Sequence, residues 1–210
     1  MSGVKSKNIL KSKNILKSKK AVKSNPDELN IMDKRIIRKT KNDELKTMMM
    51  NKKPIDSIDL HDFDYDITAV FEWAFEYSGN GMDYVDYLLQ YSCYDKVDVL
   101  RLAGRYGCEF TIENVINKLT TSKEHIPYVS ICVGAARGHF DLFKRYYEKV
   151  PKIERRLFID EFVQEACYAG SLEIVKFVTT ENYLKEKVNL ETALKIAKDS
   201  PDLTAYLKSI

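Results

Sequence analysis

Long apolar runs are missing from this chain: no uninterrupted hydrophobic stretch exceeds a few residues, whereas a bilayer-spanning helix needs roughly 20. Membrane insertion is therefore not expected, although 44% apolar residues leave ample material for a core. A secretory leader is not expected either, because the amino-terminal lysines are spread out and no apolar h-region follows them. Cysteine is sparse and scattered. Cys93, Cys108, Cys132 and Cys167 form no C-x-x-C pair and have no His doublet of zinc-ligand spacing nearby. Each sits in an apolar segment, where a thiol acts as a small hydrophobe. Together these absences predict an intracellular, reducing compartment, cytoplasmic or nuclear.

Catalytic signatures are absent as well. There is no Walker loop, G-x-G-x-x-G, H-E-x-x-H or G-x-S-x-G. Histidine occurs only as His61, His125 and His139. Cys132 precedes His139 by seven positions, but a buried thiol without an activating pair is the better reading. Asp62, Asp64 and Asp66 imitate the first ligands of an EF-hand loop. Its sixth position, which needs Gly, is Ile67, and its twelfth, which needs Glu, is Trp73. No metal, no cofactor and no enzymatic activity are expected.

What the chain has is a division of charge. Its net +3 combines 16 basic and 5 acidic residues over 1–53 with 18 basic and 26 acidic residues over 54–210. Within the basic part, KSKNIL at 5–10 repeats at 11–16 and decays to KSKKAV at 17–22. A period of six fits neither helix nor coiled coil. The lysines repel one another and little apolar surface offsets the ordering entropy, so residues 1–24 are expected to be a disordered tail. Lys17, Lys19, Lys20 and Lys23 form its densest cluster, suited to sequence-independent phosphate contact or nuclear import. The alternative is a merely solvated tail. Residues 25–53 follow as a basic amphipathic helix or linker, with Pro26 and the acids Asp27 and Glu28 in a first turn and Leu29, Met32 and Ile36 at helical spacing. Packing against the following domain is its expected role.

Residues 54–210 are repetitive. Ala74, Ala103, Gly134, Ala166 and Ala197 each lie in an apolar run that is followed by a turn and a second apolar run, and they are separated by 29, 31, 32 and 31 positions. A small residue lets a neighbouring helix approach closely. Gly107, Gly138 and Gly170 lie four positions after the small residues of their units, where a helix can end in a left-handed turn. Asp66 and Asn189 suit helix caps, and Pro127 suits a first turn. One helix pair cannot bury both its faces, so about five units must lean on one another.

Gly138-His139-Phe140-Asp141-Leu142-Phe143 and Gly170-Ser171-Leu172-Glu173-Ile174-Val175-Lys176-Phe177 resemble the ankyrin pattern, and the chain resembles the divergent ankyrin-repeat proteins of giant DNA viruses, which share its rich content of Lys, Asn, Ile and Tyr. The resemblance spans about 66–207. It implies a mainly α, ankyrin-like helix-pair solenoid, a viral protein inside its host cell, and an imidazole at His139 that holds the inter-helix turn. The Thr-Pro-Leu-His start and the Gly-Ala-x-x-Asn turn of the family are absent, residues 79–81 look inserted, and Asp199-Ser200-Pro201 looks shortened. Plain helix–loop–helix units are therefore expected in place of β-hairpin fingers, with a non-ankyrin α-solenoid as the alternative. In the family, positions before each turn often face a concave groove. Here they are Glu76 and Tyr77, Arg105 and Tyr106, Ala136 and Arg137, Tyr168 and Ala169. The expected function is non-catalytic protein binding through Arg105, Tyr106, Arg137 and Tyr168, since Arg and Tyr dominate interface energetics. The second function reading is a nucleic-acid-associated protein that grips phosphate with its lysine-rich arm. Under that division of charge, fragment 1–53 should bind duplex DNA weakly, with affinity falling steeply as salt rises, and 54–210 should not bind. Filter binding of both fragments across a salt series checks this, and retention of DNA by the acidic fragment would contradict it.

Overall fold

Short helices dominate because the sequence supplies frequent start signals. The computed structural model describes residues 42–53, 66–77, 83–90, 94–119, 125–180 and 187–210. They form α1 (residues 42–50), α2 (Ile67–Tyr77), α3 (Asp83–Leu88), α4 (Lys96–Arg105), α5 (Glu109–Asn117) and α6 (Ile126–Ala135). Then come α7 (Phe140–Tyr147), α8 (Lys152–Leu157), α9 (Ile159–Tyr168), α10 (Leu172–Thr179), α11 (Leu190–Ile196) and α12 (Pro201–Ser209). No strand occurs among the described residues.

The caps explain the boundaries. Asp66 Oδ1 accepts from the Ala69 N–H at 3.3 Å, Asp95 Oδ1 from Val97 at 2.7 Å, and Asn189 Oδ1 from Thr192 at 3.1 Å. Each satisfies an amide that has no partner inside its own helix. Pro127 occupies the first turn of α6, and Pro201 starts α12. At the other ends Gly107, Gly138 and Gly170 hold φ of 68°, 120° and 70°. At Gly107 an L side chain would be excluded twice, by that backbone angle and by the His139 ring, which a Cβ would meet at 2.7 Å.

Helices pair in chain order, α2 with α3, α4 with α5, α6 with α7, α9 with α10 and α11 with α12. The first members also touch in succession: α2 meets α4, α4 meets α6, α6 meets α9, and α9 meets α11. Ala74, Ala103, Gly134 and Ala166 lie on helices that make these contacts, and all four, with Ala197 in the 3₁₀ turn after α11, are buried. The closest approach is between α4 and α6. A Cβ on Gly134 would stand 2.0 Å from the Arg101 carbonyl oxygen, and one on Gly104 would stand 2.5 Å from that of Ile131. Backbone lies against backbone there, and only glycine fits.

Between the third and fourth units the core is aromatic. Phe143 and Phe162 meet edge to face at 5.6 Å, and Tyr147 and Phe177 at 5.4 Å, an arrangement favoured by the ring quadrupoles. The Arg155 guanidinium covers Tyr147 at 4.3 Å, and its Nε donates to the Val150 carbonyl at 2.8 Å. α8 thus turns an arginine inward, while Ile153 and Leu157 stay exposed.

The compact unit starts at Asn42 and not at 54. Leu45 and Met49 are 2% and 1% exposed within the core, Lys46 sits over Trp73, and the Tyr84 hydroxyl donates to the Lys53 carbonyl at 2.6 Å. A helix whose aliphatic face is buried that fully belongs to the domain, and a fragment cut at 54 loses part of its core. The lysine-rich segment 1–24, with Lys17, Lys19, Lys20 and Lys23, lies outside the described residues, as do Asp62, Asp64, residues 79–81 and Cys93.

Gly134→Ala and Gly104→Ala should each cost about 1–3 kcal/mol, because neither carbonyl can yield without separating α4 from α6. Gly107→Val should cost about 1–2 kcal/mol from backbone strain alone, before the clash with His139 is added. Thermal melting measures all three, and an unchanged Gly134→Ala would mean that the two helices do not meet as described.

Candidate interaction surface

The ends of α4, α6 and α9 come together because the glycine crossing holds the first two helices close. Arg105 closes α4, Tyr106 caps it, Arg137 lies in the turn after α6, and Tyr168 closes α9. These four residues, with Ala169, line one open recess of about 310 Å³. Three units contribute to it. Glu76 and Tyr77 do not line it. Ala136, expected on the same face, is fully buried: at the third unit the methyl group stays within the core and only Arg137 emerges.

Each wall is held in place from below. Glu72 Oε1 accepts from Arg105 Nη1 at 3.0 Å, which ties α2 to α4. Glu165 bridges two units, accepting from Arg137 Nε and from Arg101 Nη2, the latter at 3.4 Å. Its side chain is only 16% exposed, so this pairing is less screened than an ordinary surface ion pair. The acids hold each guanidinium through one nitrogen, and a guanidinium has five N–H donors. Tyr106 stacks on Phe75 with ring centroids 5.5 Å apart, and burial pushes its phenol pKa up. Tyr168 is 64% exposed, with the Arg137 guanidinium 5.8 Å from its ring centroid. His139 Nε2 lies 3.0 Å from the Arg105 carbonyl oxygen. A carbonyl only accepts, so Nε2 carries the proton, and the ring links the turn of one unit to the turn of the next.

Glu72, Arg101 and Glu165 were not singled out from the sequence. The signal was available, since each lies one or two positions before its unit's small residue. Reading it requires the phase of the first helix, which the turn glycines alone do not fix.

The other candidate chemistry takes structural positions. Cys132 is fully buried, and desolvation pushes its thiol far up; burial raises Cys167 to about 11. Cys108 is half-buried and also raised by burial. Among the described residues no group of three or more His, Cys, Asp or Glu side chains could hold a metal ion. Asp160 Oδ1 accepts from the Asn189 N–H at 2.6 Å and ties α9 to the start of α11.

A thiol raised by burial binds its proton more tightly when folded. Stability from Cys167 is therefore present below the unfolded thiol pKa near 9 and is lost as pH rises through about 11. Iodoacetamide at pH 8 should label native Cys108 well ahead of Cys132 and Cys167. Peptide mapping by mass spectrometry checks the order, and labelling of Cys132 at its denatured rate would contradict the packing.

No protein-family model, curated protein or solved structure matches this chain.

Proposed function

We propose that residues 42–210 form a non-catalytic protein-interaction module built on ankyrin-like repeats, with the row of turn residues as its binding face. One observation carries this reading: Arg105, Tyr106, Arg137 and Tyr168, drawn from three separate units, line a single recess. Equivalent positions of stacked repeats fall along one side of a solenoid, and the succession of contacts from α2 to α11 suits such a stack. The chemistry of the recess suits protein recognition. An aromatic ring stands exposed beside guanidinium groups already oriented by Glu72 and Glu165, so little side-chain entropy remains to be lost on binding. The raised pKa values of Cys132 and Cys167 keep both as thiols near neutrality, which suits packing and not nucleophilic attack.

Tyr168→Ala should leave melting within about 0.5 kcal/mol, because the ring is largely exposed. It should nevertheless weaken partner capture by about 2 kcal/mol or more, as expected of a central aromatic anchor. Replacing all four residues by Ala should abolish capture. Tyr106 and Arg137 also make internal contacts, so circular dichroism must confirm that the quadruple variant is folded. A folded quadruple variant that still recovers the same proteins from cell extract would place binding elsewhere on the chain.

A further inference from the structure

The fifth unit differs from its predecessors in one countable respect. In the second, third and fourth units the second helix starts six positions after the small residue: Ala103 to Glu109, Gly134 to Phe140, Ala166 to Leu172. In the fifth it starts four positions after, from Ala197 to Pro201, through a single 3₁₀ turn and an extended Ser200. With that shorter turn, a cleft of about 760 Å³ opens between α9 and the fifth unit. Tyr168 and Ala169 border both this cleft and the smaller recess. Tyr168 is the exposed ridge between them.

Ion pairing distinguishes the two sides of the ridge. Arg105 and Arg137 are matched by Glu72 and Glu165. In the cleft, Lys195 and Lys198 are exposed and make no ion pair among the described residues, and Asp199 is the one carboxylate among the lining residues. The cleft lining therefore carries an excess of one positive charge beside Tyr168. It amounts to one local charge in a segment that carries 18 basic against 26 acidic residues over 54–210. A continuous polyphosphate track would be repelled, whereas a single carboxylate would be held.

We propose that the partner enters as an extended segment of another protein, placing a carboxylate in the cleft between Lys195 and Lys198 and an apolar or aromatic side chain against Tyr168. This rests on the interaction reading above and adds the partner's chemistry to it. The lysines supply position and selectivity, and the ring supplies desolvated contact area.

The test is selection of random dodecapeptides displayed on phage against the immobilised full chain. Enriched peptides should carry Asp or Glu next to or near Phe, Tyr, Trp or Leu. By fluorescence anisotropy, K195E/K198E should weaken an enriched peptide at least about tenfold, and reselection on that variant should replace the acids by Lys or Arg. Both lysines are exposed, so melting should be unchanged. Enriched peptides without acids, or an acidic peptide bound equally by K195E/K198E, would overturn the proposal. If such peptides still need Tyr168, the binding face stands and only the partner's chemistry fails. Failure to enrich any peptide would overturn both readings. Displacement of the peptide by an equal concentration of oligo-dT would make the ligand a nucleic acid and also overturn the proposal.

Discussion

The approach of α4 to α6 is the constraint on which the candidate surface depends. Gly104 and Gly134 each face a carbonyl of the opposite helix at a distance that admits no side chain. Two helices pressed together this closely have their ends fixed within a narrow range, and the turns that follow inherit that spacing. Arg105 and Arg137 consequently wall one recess, and the His139 ring reaches the Arg105 carbonyl across the unit boundary. A wider crossing would lose the imidazole contact and splay the two guanidiniums apart. The aromatic packing around Phe143 and Phe162 serves the next boundary differently, filling space with interlocking rings where the helices do not meet backbone to backbone.

Electrostatics then turns this spacing into a surface. Glu165 is shielded from solvent and holds arginines from two different units, so its carboxylate acts as a cross-brace as well as a countercharge. Glu72 does the same between α2 and α4. Both acids hold a recess arginine through an ion pair. Beyond Tyr168 this bracing stops. Lys195 and Lys198 make no ion pair among the described residues. Tyr168 thereby stands between arginines braced by acids and lysines that are not.

The ends of the domain follow the same logic. An end helix pair has no neighbour to cover one of its faces. At the amino-terminal end, Leu45 and Met49 of α1 supply buried apolar contacts. At the carboxyl-terminal end, the Tyr206 hydroxyl lies 2.7 Å from Thr179 Oγ1, and Lys176 stands over the Tyr206 ring. Leu203 and Leu207 of α12 are buried beside these polar tethers.

Helix starts at Asp66, Pro127 and Asn189, turns at Gly107, Gly138 and Gly170, and the near-constant spacing of small residues were all legible in the sequence. Each is a local matter: a cap, a positive φ or a missing Cβ acts within one turn of chain, so residue type alone identifies it. The four residues that line the recess were nameable for the same reason, since repetition makes one turn a guide to the next. Ala136 breaks that guide because exposure depends on side-chain length and on what covers the turn. The membership of α1 in the core, the pairing of Glu165 with two arginines and the reciprocal fit of Gly104 and Gly134 were decided by tertiary structure. Each joins residues far apart in the chain, 28 and 64 positions for the two arginines of Glu165. Contacts over such separations depend on how rigid helices are phased against one another, and no periodicity within a single segment encodes that phase.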